Sequence, residues 1–220
     1  INRGTGNRIF KLSKFVFYHT GYSSHIVQAK LVRNLRIMLA DIEKNGEDVR
    51  YYSPLMDCYY AKQDYEKAAE YARLAITNAD EVIGKLVSQY ACLFDSLHLM
   101  RHPEFELQAV LDEALVACPG YPEPLCQQGY LHYEHGRYDQ AENFLLQAMQ
   151  LDQQAQEHPE DCMDSQMVSS RPYVHWMLGK IQEKKGNRAR AAEYYTQSLT
   201  EDAYQETVLR VTAPAVVAKD

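Results

Sequence analysis

Between Tyr121 and Leu151 two amphipathic segments of helical period meet at a short Gly-Arg-Tyr turn, and no other stretch limits the possible folds so sharply. Small residues stand where two helices must approach closely (Gly129, Ala141, Ala148). Tyr138 is large enough to plug the junction, and Gly136 is free to take the positive φ that ends a helix. Such a stretch folds as a helix hairpin. The spacing recurs in 172–201 through Leu178, Gly179, Gly186, Ala191 and Tyr195, with Ser198 for the last Ala and Arg188 for the junction Tyr, which predicts a more loosely tied pair. In 51–76, Tyr65, Ala68 and Ala75 match while Met56 holds the Gly position, which predicts a wider pair. In 84–119 the frame rests on Phe105, Ala114 and Pro119, with Asp95 at the Gly position and Leu107 at the first Ala. Ala75, Ala114, Ala148 and Ser198 lie 39, 34 and 50 residues apart, so the surplus collects in one stretch, 152–170.

This spacing resembles the tetratricopeptide repeat, a helix hairpin of ~34 residues with Gly at its eighth position, Tyr at its seventeenth and Ala at its twentieth and twenty-seventh. The resemblance implies an all-α, tetratricopeptide-like α-α superhelix of about four hairpins (49–77, 80–118, 122–152, 171–200). Helices are expected near 49–61 and 64–77, 80–100 and 103–118, 122–136 and 138–152, and 171–186 and 188–200. A linker helix precedes them at 23–46, capped by Ser23 or Ser24, striped by Val27, Leu31, Leu35, Met38 and Ile42, and ended by Asn45-Gly46. Residues 1–22 form a short non-helical segment with a strand-like Phe15-Val16-Phe17-Tyr18 run. The insert 152–170 reads as an acidic, Pro-broken exposed loop with helix at its start, and 203–220 as a cap or tail.

Five Cys without a Cys-x-x-Cys pair fit packing in a reducing compartment. No apolar run approaches the ~18 residues of a membrane span, and no secretory signal is visible, so a cytoplasmic location is expected. The net charge of −7 is uneven: residues 1–50 hold 9 Lys and Arg against 4 Asp and Glu, the remainder 14 against 26. An acidic body argues against nucleic acid, which is bound largely through phosphate neutralisation. The basic N-terminal end offers contact to a phosphate-rich ligand or peripheral contact to an anionic membrane, with a solvated helix face as the plainer reading.

Arg8-Ile9-Phe10, His19-Thr20-Gly21-Tyr22 and Arg33-Asn34 are similar to the junction in bacterial family-2 glycosyltransferases that carry C-terminal tetratricopeptide repeats. That resemblance makes residues 1–22 the last piece of a catalytic domain and the remainder an interaction or substrate-positioning module. It implies a divalent metal and a nucleotide-sugar donor for the parent enzyme, with His19 a remnant of the metal and donor site and Arg8 a diphosphate partner. The chain departs from the family by having little between Phe10 and Phe15, where a longer acidic segment is placed. No cofactor is expected in this chain, and alone it is not expected to catalyse. The alternative is a free-standing scaffold that binds a peptide or protein.

His132 and His135 share one helix face without a third metal ligand, so packing is the better reading. Glu157, Glu160, Asp161 and Asp164 lack the spacing of a calcium loop. In tetratricopeptide repeats the first helix of each pair lines a concave groove through its positions 2, 5, 9 and 12, here including Asp57, Tyr60, Ser96, Tyr130, Tyr133, Tyr173, Trp176 and Lys180. Their rings suit a peptide or a glycan acceptor. The Lys and Asn clamp that holds a C-terminal carboxylate in co-chaperone repeats is missing, since Ser53, Cys92, Cys126 and Trp176 hold the fifth positions.

Overall fold

A computed structural model describes residues 24–78, 86–157 and 167–201. The strand-like run at Phe15, the junction residues Arg8 and His19, the bulk of the acidic cluster and the tail at 203–220 lie outside these. The described residues are all-α and form a tetratricopeptide-like superhelix. α1 (Ser24–Asn45) leads into four hairpins, α2 (Tyr52–Ala61) with α3 (Tyr65–Thr77), α4 (Leu86–Leu99) with α5 (Glu104–Ala117), α6 (Glu123–Glu134) with α7 (Tyr138–Glu157), and α8 (Met167–Lys184) with α9 (Arg188–Glu201). A 3-10 turn, Val49–Tyr51, precedes α2 and is capped by Asp48, which accepts from the Arg50 amide at 2.9 Å. The first helices touch in sequence, α2 on α4, α4 on α6 and α6 on α8, so they share one face of the stack.

All four hairpin turns use one hydrogen-bond pattern. The residue after the turn's left-handed position donates to the carbonyl five residues back: Asp64 to Tyr59 (3.0 Å), His102 to Leu97 (3.0 Å), Arg137 to His132 (2.9 Å) and Asn187 to Gln182 (2.8 Å). The left-handed residue is glycine in the last two hairpins (Gly136, φ 72°; Gly186, φ 82°) but Gln63 (φ 62°) and Arg101 (φ 63°) in the first two. An L side chain there meets the following carbonyl, at a cost of roughly 1–2 kcal/mol. Arg101 is exposed. Arg101→Gly is therefore expected to stabilise the chain by about 1 kcal/mol, seen as a raised melting temperature; a lowered one would show the side chain to be needed.

Close approach of the paired helices follows the small residues. A Cβ on Gly129 would lie 2.6 Å from Leu145 Cγ and 3.3 Å from the Ala141 carbonyl, and one on Gly179 would overlap the Tyr195 ring. Ala141, Leu145 and Ala148 are fully buried. Gly129→Leu should thus push α6 off α7, with overpacking costing about 1–3 kcal/mol; an unchanged melting temperature would contradict the packing.

The imperfect copies close by other means. Met56, 2 % exposed, shares a buried cluster with Ala69 and Ala72, so small partners absorb its volume. In the fourth hairpin, where Arg188 replaces the junction Tyr, the Tyr195 ring fills the space over Gly179 and its hydroxyl donates to Glu183 at 3.0 Å. Phe105 does not plug the second junction. It is 72 % exposed, because this turn carries one residue more between Arg101 and its second helix than the others do, placing Pro103 at the cap of α5.

Both sides of the long insert are helical. α7 continues to Glu157 through helix-favouring Gln and Ala, and α8 begins at Met167, ahead of the expected 171, with Pro172 inside it. Two contacts hold this region: Arg171 Nε donates to Asp152 Oδ2 at 2.7 Å, with the Asp152 side chain 5 % exposed, and the Ser198 hydroxyl donates to the Pro172 carbonyl at 2.6 Å. The linker helix docks on the first hairpin through Leu35 and Met38, with Leu31 and Ile42 partly buried beside them.

Candidate binding groove

A cavity of about 550 Å³ runs across all four first helices. Asp57 and Tyr60 come from α2, Asp95 and His98 from α4, Tyr130 and Gln127 from α6, and Tyr173 from α8. Of the residues assigned to the groove from sequence, Asp57, Tyr60, Tyr130 and Tyr173 line this cavity. Tyr133, Trp176 and Lys180 stand outside its lining. Tyr133 packs on the junction ring Tyr138, centroids 5.8 Å apart, as Tyr60 packs on Tyr65 at 5.7 Å. Trp176 stacks on Tyr173 at 5.5 Å, and Lys180 Nζ lies 5.8 Å from the Trp176 centroid, so these two continue the wall from Tyr173. Ser96 is fully buried and cannot present itself to a ligand.

The residue missed in its place is Asp95. Counting α4 back from its own left-handed residue, Arg101, puts Ser88, Ala91, Asp95 and His98 at the groove positions, and all four line the cavity. Counting from the second-helix alanine crosses the extra residue near Pro103 and lands one place off. The His-Pro pair in this turn was the available signal.

The cavity is acidic and aromatic. Burial pushes the Asp95 carboxyl up to about 6, against the Gln127 amide, which donates to it at 3.2 Å, and against the nearby His98. Asp57 lies at the mouth, exposed as a residue yet crowded enough that burial pushes its carboxyl up. Burial also lifts the Tyr60 phenol to about 12, with the Asp95 charge adding to it. The Tyr130 hydroxyl donates to Glu134 Oε1 at 2.8 Å, and His98 Nε2 stands 3.3 Å from that hydroxyl and 3.3 Å from Glu134 Oε2. Burial first, then this bond to Glu134, hold the Tyr130 phenol in its protonated form. Cys92 and Cys126 face the cavity as thiols, since burial pushes both well above the ordinary range.

On another part of the surface, His132 and His135 serve structure. Arg137 Nε donates to His132 Nδ1 at 2.7 Å, the His132 ring stacks on Phe144 at 5.2 Å, and His135 Nε2 lies 3.1 Å from Glu104, which also receives Arg137. Among the described residues no group of three or more His, Cys, Asp or Glu side chains is placed to hold a metal ion. No described helix is long and apolar enough to cross a membrane.

A stack of hairpins with one shared groove defines a helical-repeat interaction module. Tetratricopeptide-repeat family models match residues 122–154, which span the third hairpin, and 177–205, which take in the second half of α8 and all of α9. Among solved structures, the crystal structure of MamA is similar at TM-score 0.57 and 13 % identity, covering 87 % of this chain and 99 % of that one. MamA 41-end from Desulfovibrio magneticus RS-1 is similar at TM-score 0.55 and 13 % identity, covering 83 % and 94 %. At such identities the likeness establishes the fold. No curated protein sequence matches the chain.

Proposed function

We propose that the chain is a scaffold that grips an extended segment of a partner protein along its first-helix groove. The observation that carries this reading is the single cavity shared by α2, α4, α6 and α8, walled by Tyr60, Tyr130 and Tyr173. Tyr173 is 42 % exposed, which leaves its ring area free for contact. Rings of this kind present large surface at low entropic cost. A partner recovered by affinity capture and then mapped to a minimal peptide should bind the intact chain, and Tyr130→Ala or Tyr173→Ala should weaken it by about 2 kcal/mol if the ring is a hot spot. Equal affinity in both variants, with unchanged circular dichroism, would reject the groove as the binding surface.

A second reading places this scaffold behind a family-2 glycosyltransferase, and it is favoured by the Arg-Ile-Phe and His-Thr-Gly-Tyr segments. There the groove would hold a protein or glycan acceptor. The matched models and solved structures are those of repeat proteins, which supports the free-standing scaffold better. No donor set for a divalent metal is found among the described residues, and His19 lies outside them. A strand-rich domain with an Asp-x-Asp motif encoded upstream of Ile1 would establish the enzyme parent; its absence would remove this reading.

A further inference from the structure

We propose that the groove selects a basic side chain, an arginine or lysine of the bound segment, which enters between Asp57 and Asp95 under the rings of Tyr60, Tyr130 and Tyr173. This rests on the reading of the groove as a peptide site and adds the chemistry of what it recognises. Asp95 is central to the cavity: its charge acts on the phenols of Tyr60, Tyr130 and Tyr173, which belong to three other helices. Asp57 and Asp95 both act on the Cys92 thiol, so the two carboxylates approach the same place from α2 and α4. Among the described residues no Lys or Arg lines the cavity, and His98, the basic group there, is turned to Tyr130 and Glu134.

Charge complementarity fixes the class of occupant. The Gln127 amide is a single neutral donor to Asp95, whereas a carboxylate accepts several hydrogen bonds and a guanidinium supplies paired donors in a planar fork. Phenol faces add cation–π attraction on either side. A phosphate or a peptide carboxylate would meet Asp57, Asp95 and Glu123 across the cavity and be repelled. Sugar hydroxyls could stack and hydrogen-bond there, yet they would leave both carboxylate charges uncompensated.

The test is selection of phage-displayed random nonapeptides on the full chain, with peptides that also bind Tyr130→Ala/Tyr173→Ala removed. Enrichment of Arg or Lys at one fixed position is the expected result. The strongest peptide is then remade with citrulline for that Arg, which keeps the shape and removes the charge. Affinity for the native chain should fall at least ten-fold, and the same exchange should cost much less against Asp95→Asn, which retains an acceptor for Gln127. Calorimetry near pH 6 in buffers of different ionisation heat should show proton release when the Arg peptide binds, because the arriving cation favours the Asp95 carboxylate and the protonated fraction gives up its proton. Ring-dependent peptides without a fixed basic residue, or equal binding of the citrulline form, would overturn the cationic specificity and leave the groove reading standing. Recovery of no ring-dependent peptide would overturn both.

Discussion

Asp95→Asn should raise the melting temperature at neutral pH, although it removes a charge from the candidate site. The Asp95 carboxyl titrates near 6 in the folded chain against an ordinary 3.8, so folding opposes its charged form. Below about pH 4 the group is protonated in folded and unfolded chains alike, and no penalty exists. As pH rises from about 4 to 6 the unfolded chain loses the proton first, and stability falls; above about 6 both states are charged and the loss stays constant. A displacement of this size corresponds to at most about 3 kcal/mol, less for whatever water reaches the groove. The gap in stability between variant and native chain should therefore open between pH 4 and 6 and level off beyond. Thermal unfolding at four pH values reads this directly. A gap independent of pH would show that Asp95 is well solvated and that the cavity is wetter than its lining implies. Stability given up at a carboxylate that folding does not need is the pattern expected of a binding group.

The helix hairpins were legible in the sequence because their small residues are demanded by contact: Gly129 against Leu145 and Gly179 against Tyr195 leave no room for a side chain. Helical period alone located the linker helix, whose Leu35 and Met38 are buried as their spacing required. Asp57, Tyr60, Tyr130 and Tyr173 line the cavity and sit in hairpins where both helices keep one frame, so counting along the sequence reaches them. Asp95 was obscured by a single extra residue in a turn, which moves the counted position by one and exchanges a lining carboxylate for the buried Ser96. Tyr133 and Trp176 could not be sorted from sequence, because an aromatic ring on a first helix can face the groove or lean on its neighbour, and only the packing of Tyr138 and Tyr173 decides.

Arg171→Met should be among the most damaging single changes. It removes the guanidinium from an Asp152 side chain that is 5 % exposed, and breaking one side of a buried pair typically costs about 3–5 kcal/mol. The double change Asp152→Asn/Arg171→Met should recover much of that loss, because it removes the buried charge together with its partner. Denaturant unfolding of the three variants measures both quantities. A double variant as unstable as Arg171→Met alone would mean that the pair acts through packing and not through charge.

The Asp152–Arg171 contact also ties α7 to α8 roughly one turn inside their facing ends, whatever sequence runs between. With the two helices tied together, added length between them costs little, about 0.6 kcal/mol of closure entropy for each doubling. The passage from α7 to α8 is thus a port in an otherwise tightly indexed stack. A protease site, an affinity tag or a whole reporter domain can be grafted there without resetting the register of the helices on either side.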